Sequence, residues 1–442
     1  MSKRAKTALS GVAINKERYL ELLGKLVGES ETLQNDPPNG LIPKEDNASQ
    51  HVLAALQAHT VENGGPLTVE RVAFTPGCGN VIITYPGETD ESLAFVGSHM
   101  DLVPANPETW KRDPFRMTVE DDELHGRGTT DCLGHVALVT ELMLELAIKK
   151  PKLHRTITVV LIANEENQAV KDIGVDRLMA TGKMDHIKKG PVIWVDCSDS
   201  QPCIGTASSI VWFLKANGKL FHSGLPHKGV NAIELANAAC RELQERFYKQ
   251  FPTSALERDT YKFTSCSTMK PTQVKCAVGA LNQLPPWCEI SGDVRLTPFF
   301  EAAECKAKLH EWVAELNANI GTLLDSPGPV AKYEIEGFKG SLELTFGESH
   351  LDGIACDTNS AGYRALVAAT EAVLGEAKPY SICGSLPLVR DLQRKGFDLQ
   401  MTGFGLMKTY HADNEFCLYS DMANGFRILL GVIAELEGQP AA

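Results

Sequence analysis

The sequence has no apolar run of membrane-spanning length, no CxxC pair and no short, regular cysteine spacing. The first absence leaves no candidate for a transmembrane helix, which takes about 20 mostly apolar residues, and no membrane partner is expected. The second argues against a disulfide framework. The twelve scattered cysteines therefore read as reduced thiols, and the cytoplasm is the expected compartment. Basic charge is scarce as well: 43 Lys and Arg against 56 Asp and Glu leave a formal net charge of −13. Backbone phosphates demand the opposite balance, so no nucleic-acid partner is expected. Neither an internal repeat nor a low-complexity tract appears. The amino-terminal MSKRAKTALSG is basic but has no apolar core behind it, and reads as a short lead-in rather than a signal peptide. The carboxyl-terminal GQPAA matches no short address motif.

What is present is a chain of 442 residues, too long for one ordinary core, with two or three domains as the expectation. Tyr19, Leu20, Leu23, Leu26 and Val27 recur at helical spacing, and a second helix is expected around 51–59. Segments 68–74 and 80–85 look like paired strands across a Pro-Gly turn. The run CLGHVALVTELMLELAI behind the glycine-rich turn GRGTTD (126–131) is apolar on most sides and should be a helix buried against a sheet. Alternating strands and helices up to Asp196 predict an α/β domain, a mostly parallel (mixed) sheet sandwiched by helices. The order then becomes β-α-β-β-α-β, which suits an inserted ferredoxin-like α+β domain. The boundaries expected are 1–208 and 355–442 for the two parts of the larger domain and 209–354 for the insert.

Four strand candidates end in metal-binding residue types. SLAFVGS (92–98) is followed by His99 and Asp101, and TITVVLIAN (156–164) by Glu165 and Glu166. VIWV (192–195) runs into Asp196, and DLQMTGFG (398–405) is soon followed by His411. Ligands of open α/β sheets gather at the carboxyl ends of strands. Imidazole nitrogen and carboxylate oxygen are donors that zinc accepts, and a tight glycine turn offers Asp131 as a carboxylate that could join two ions. Either glutamate of the 165–166 pair could bind a metal while the other moves a proton. Asp101 would orient His99 by accepting its free ring N–H. Asp199 competes with Asp196, being three residues away. Each residue taken singly has an ordinary reading as a loop or surface group. Their joint placement after consecutive strands is what a two-metal hydrolase needs.

SHMDLVPA, GRGTTDCLG, ANEEN, FHSG and YHADNE occur in this order over nearly the whole chain. The set resembles the metallopeptidase family of acetylornithine deacetylase, succinyl-diaminopimelate desuccinylase, aminoacylase and carboxypeptidase G. Within it, KLFHSG, STMKPTQ, SGDVRLTPF and GLMKTYHADNE are most similar to the eukaryotic, plant-like acetylornithine deacetylase branch. The resemblance implies two divalent ions per subunit, zinc first, with cobalt or manganese as substitutes. His99 and Asp196 would hold one ion and Glu166 and His411 the other, with Asp131 bridging. Glu165 would be the general base and acid, and Asp101 the orienting partner. In the insert, His222 would steady an oxyanion across a homodimer, and Asn282 and Arg295 would hold a substrate carboxylate. The implied substrate is an N-acyl amino acid, N-acetylornithine above all, with a dipeptidase, a general aminoacylase or a catalytically silent relative as alternatives. Two departures stand out. Cys132-Leu133-Gly134 replaces a Lys or Met followed by Gly, and Gly384 and Ser385 lie in GSLP where a substrate-binding Gly-Thr-Ser-Asp type loop is usual.

Overall fold

The computed structural model describes residues 9, 11–167, 170–323 and 332–437. The chain forms two compact units, one of Met1–Ile204, Cys356–Tyr380 and Pro387–Ala442, the other of Gly205–Ala355 with Ser381–Leu386. The first stretch carries helices α1 (Lys16–Val27) and α2 (Asp46–Leu56), then strands β1 (Thr68–Thr75), β2 (Cys78–Tyr85) and β3 (Ser92–His99). Two short strands follow, β4 (Thr118–Glu120) and β5 (Glu123–His125), then α3 (Leu133–Lys149), β6 (Thr156–Ile162), α4 (Val175–Ala180), β7 (Pro191–Val195) and β8 (Cys203–Gly205). The smaller unit contributes β9 (Ser208–Asn217), α5 (Ala232–Gln250), β10 (Thr268–Cys276), β11 (Trp287–Leu296) and α6 (Ala302–Ala318). It continues with the two-residue strands β12 (Glu334–Ile335) and β13 (Phe338–Lys339) and ends its sheet with β14 (Ser341–Phe346). The chain closes with α7 (Ala361–Leu374), β15 (Tyr380–Ser381), α8 (Val389–Arg394), β16 (Asp398–Thr402), β17 (Phe416–Leu418) and α9 (Tyr419–Glu437).

The large sheet has the order β1-β2-β6-β3-β7-β16-β8-β15. Its centre, β6-β3-β7-β16, is parallel, while β1, β2 and β8 join antiparallel. Central strands are covered on both faces, which is why they read as unbroken apolar runs: every residue of β3 and β7 is buried. Helix α3 is buried from Leu133 to Ala147 and packs against the sheet on one side and α1 and α9 on the other. Its two glutamates are not exceptions to that burial, since Arg18 of α1 reaches Glu141 at 2.6 Å and also contacts Glu145. Helix α2 begins earlier than the apolar spacing predicts. Asp46 sits in its first turn, where a carboxylate suits the positive end of the helix dipole, and 57–59 continue only as a 3₁₀ turn.

The smaller sheet runs β10-β11-β9-β14, antiparallel throughout, with α5 and α6 supplying the rest of its core. This is the ferredoxin-like order that the β-α-β-β-α-β pattern predicts. Burial alternates along β9 and β11, so only one face of each is core.

The end of β3 depends on a close approach. Gly97 has φ +102°, and a Cβ there would lie 2.5 Å from the Trp194 ring on β7. The parallel register with β6 slips between Val96 and His99 at the same point, so this glycine turns the strand just before His99. Gly97→Ala is expected to cost about 2 kcal/mol through strain and overpacking. A thermal midpoint equal to that of the wild type would contradict this account.

Candidate metal centre

The four central strands are parallel, so their carboxyl ends lie along one rim of the sheet. His99 ends β3. Its Nδ1 donates to the backbone carbonyl of Asp101 at 2.8 Å, which turns Nε2 toward Asp131 Oδ1 at 2.9 Å. The other oxygen of Asp131 faces His411, with Nε2 3.0 Å from Oδ2. Thus one carboxylate stands between two imidazoles that are 312 positions apart in the chain (411 minus 99). His411 Nε2 is also 3.3 Å from Glu166 Oε2, and His99 Nε2 is 4.0 Å from Glu165 Oε2. Asp196, directly after β7, is held by its amide donating to Thr402 at the end of β16, 2.9 Å away.

Donor atoms lie within 4.8 Å of one another in three groups: His99, Asp131, Cys132 and Asp196; His99, Glu165 and Glu166; and Asp131, Glu166 and His411. Asp199 belongs to none of them, and its Oδ1 accepts the Met407 amide at 2.8 Å. His99, Asp131, Glu165, Glu166, Asp196 and His411 therefore come together. Asp101 sits behind them with a different set of partners from that expected. Its carboxylate is 3.5 Å from His99 Nδ1, and it accepts the amides of Glu165 at 2.9 Å and Glu166 at 3.0 Å and Asn35 Nδ2 at 2.8 Å. One residue thus orients the histidine through its carbonyl and the glutamate pair through its carboxylate.

Burial and mutual repulsion dominate the electrostatics. Burial lifts Glu165 well above the carboxylate range; His99 pulls the other way, and the charges of Glu166, Asp196 and Asp131 add to the rise. Burial, followed by the charge of Asp131, pushes Glu166 up to about 7 and Asp196 to about 6. Burial disfavours the charge on Asp131 too, but direct bonds from His411 and His99 hold it far below its usual range. Burial would lower His411, yet its bonds to Asp131 and Glu166 raise it to about 10. Glu166 Oε1 is buried with no hydrogen-bond partner among the described residues. Crowded carboxylates, two imidazoles and an orphaned buried oxygen are a donor set that fits hard or borderline divalent cations, whose charge reverses this repulsion.

Several residues that shape the centre escaped the sequence reading. Glu415, two residues from the motif's Asp413, is wholly buried rather than a surface charge. Its Oε1 accepts the amides of Thr130 at 2.8 Å and Asp131 at 3.0 Å, and its Oε2 accepts that of Gly128 at 3.2 Å and Arg127 Nη1 at 2.6 Å. The pairing of β17 with β5 supplies this register, setting Phe416 opposite His125. Glu45 is buried too and accepts the Asn164 amide at 3.1 Å, while Asn35 bonds Asn164 Oδ1 at 3.0 Å. Only the motif position of Glu415 gave a signal in the sequence.

The other expected residues belong to the smaller unit. His222 is exposed, and its Nδ1 accepts the Gly224 amide at 3.0 Å. It bridges to Gln283, beside Asn282, whose carbonyl accepts the Ser223 amide at 2.9 Å. Arg295 Nε is paired with Asp293 at 2.6 Å. Gly384 accepts the Ala207 amide at 2.8 Å through its carbonyl, and Ser385 follows in the same segment.

Glu415→Gln places an amide NH₂ among donors that need an acceptor and leaves Arg127 a buried, unpaired cation. Metal affinity is expected to fall about 10–100-fold, the usual consequence of losing a ligand-orienting partner. Competition against a chelator measures this, and unchanged affinity would remove Glu415 from its role.

Residues 95–435 match peptidase family M20/M25/M40. The chain is 49% identical to acetylornithine deacetylase of Arabidopsis thaliana, over 99% of this chain and 100% of that one. It is 48% identical to acetylornithine deacetylase of Dictyostelium discoideum, over 96% and 98%. Among solved structures, aminopeptidase PepT from Bacillus cereus shares the fold, with TM-score 0.67 and 17% identity over 96% of this chain and 100% of that one. The chain belongs to peptidase family M20/M25/M40, a hydrolase family of amide bonds.

Proposed function

We propose that this protein hydrolyses N-acetylornithine to ornithine and acetate, using two divalent cations, zinc by preference. The observation that carries the chemistry is the Asp131 carboxylate with one oxygen toward His99 and the other toward His411. Near 50% identity to two acetylornithine deacetylases over almost the full length supports the substrate. His99, Asp131 and Asp196 would hold one cation, and Asp131, Glu166 and His411 the other. Such ions lower the pKa of water from about 15.7 toward 7 and polarise a carbonyl.

Glu165 takes the proton of the attacking water and delivers it to the leaving ornithine nitrogen. Burial suits it to that task, because a carboxyl that holds its proton readily can hand it on. Asp101 keeps both glutamates in place by fixing their amides. His222 would steady the developing oxyanion, and Asn282 and Arg295, with the loop of Gly384 and Ser385, would bind the substrate carboxylate. The site of action would be the cytoplasm, in keeping with twelve free cysteines. No helix among the described residues is long and apolar enough to cross a membrane.

The metal-loaded enzyme is expected to release acetate and ornithine from N-acetylornithine in preference to splitting dipeptides. Glu165→Ala should lose about 10²–10⁴ of the rate while keeping its metal. Arg295→Ala should raise KM more than it lowers kcat. Preference for dipeptides would transfer the chain to a peptidase role, and a protein with well under one ion per chain after zinc addition would be a silent relative.

The functional form is proposed to be a homodimer built through the smaller unit. Strand β10 is an edge of its sheet, exposed along most of its length, and Val274, Val278, Leu281 and Leu225 of that unit are exposed apolar side chains. An open edge of this kind is a template for pairing with another strand. Sedimentation should give twice the chain mass of 48.1 kDa; a monomer at micromolar concentration would refute the dimer.

A further inference from the structure

Cys132 is wholly buried, and its Sγ falls inside the 4.8 Å group formed with donors of His99, Asp131 and Asp196. It is not an inert core thiol packed among hydrocarbon. His135, one turn further along α3, points Nδ1 at the sulfur from 3.4 Å. That nitrogen carries the ring proton, because Nε2 accepts the backbone N–H of Phe404 at 2.8 Å. The sulfur therefore receives an N–H donor on one side, the partner that an anionic ligand atom takes, and as a thiol it gives its own proton to the Val195 carbonyl at 3.9 Å. On another side it meets the three donors of the proposed metal site. Cys197, although next to Asp196, shares none of these groups.

We propose that Cys132 supplies a thiolate to the cation held by His99, Asp131 and Asp196. That site then has four protein donors, while the site of Asp131, Glu166 and His411 keeps room for water and substrate. The inference rests on the metal reading above and adds the sulfur to it. Bonds of about 2.0–2.3 Å around a tetrahedral ion set donors roughly 3.3–3.8 Å apart, so a group whose donors lie within 4.8 Å of one another closes by at most about an ångström or slightly more when the ion binds. When the sulfur–metal bond forms, the thiol proton passes to solvent. The two sites then differ in kind. A closed site with sulfur resembles structural zinc sites and selects against manganese, whereas the all N/O site admits several metals. One zinc should survive dialysis and the other should exchange.

X-ray absorption at the zinc edge of the fully loaded wild type tests this without any mutation. One sulfur scatterer at about 2.3 Å per two zinc ions is expected, and a shell of nitrogen and oxygen alone overturns the assignment while leaving the metal centre intact. With cobalt in place of zinc, a thiolate-to-metal charge-transfer band should appear in the near ultraviolet. It should persist in Cys197→Ser and vanish in Cys132→Ser; its survival in the latter also overturns the proposal. Absence of any bound ion removes the metal reading itself, and Cys132 with it. If Cys132→Ser does not fold, the wild-type absorption spectrum decides alone.

Discussion

The structure turns on carboxylates that point away from the reaction. Asp131 can serve two histidines only if its backbone is fixed, and its amide is fixed by Glu415, which also holds Gly128, Thr130 and Arg127. Glu165 and Glu166 share a loop, and both amides of that loop end on Asp101. A buried carboxylate is costly to desolvate unless its oxygens are satisfied. Here the satisfying donors are the backbone amides that must stay still. The same bonds that make burial tolerable also locate the donor atoms, which ties the stability of the loops to the precision of the centre.

The sheet explains why such a network converges. Parallel strands deliver all their carboxyl ends to one rim, so residues following β3, β6, β7 and β16 become neighbours despite wide spacing in sequence. Helix α3 begins at the same rim, directly behind Asp131, and its wholly buried body anchors that end of the loop in the core. The centre therefore rests on the most deeply packed elements of the larger unit, and its geometry inherits their rigidity.

What could be read from the sequence follows from what leaves a local trace. Apolar runs that stop at a His, Asp or Glu mark buried strands and their ends, and the 2.0 and 3.6 periods separate the ferredoxin-like unit from the parallel sheet. The placement of His99, Glu166 and Asp196 at strand ends is legible for that reason, and that of Asp131 from the glycine-rich turn before it. The partners of Asp101 were not, because a carboxylate two residues after a histidine looks like its partner. The three-way competition among His99, Asn35 and the 165–166 amides exists only in three dimensions. Glu415 was hidden likewise: its amide partners lie about 285 positions earlier, brought near by the pairing of β17 with β5. Segment Ser381–Leu386 packs with the smaller unit, although nothing in its composition separates it from the returning chain.

The two sides of the centre are not equally prepared. On the Glu165 side the left-handed residue is Asn164, at φ +55°. Its amide is held by Glu45, its Nδ2 by the Val170 carbonyl at 2.7 Å and its Oδ1 by Asn35. A non-glycine residue in that region costs of order 1–3 kcal/mol, and these three hydrogen bonds, two of them buried, offset it locally. On the far side His411 is also left-handed, at φ +57°, but its side chain is 46% exposed and its ring bonds run to Asp131 and Glu166 themselves. The strain at His411 is thus balanced by the centre itself, while the loop on either side is tied to the larger unit through Leu406 to Thr130, Met407 to Asp199 and the buried Glu415. The Glu165 side is set by the fold in advance. The His411 ring is placed instead by its own contacts with Asp131 and Glu166.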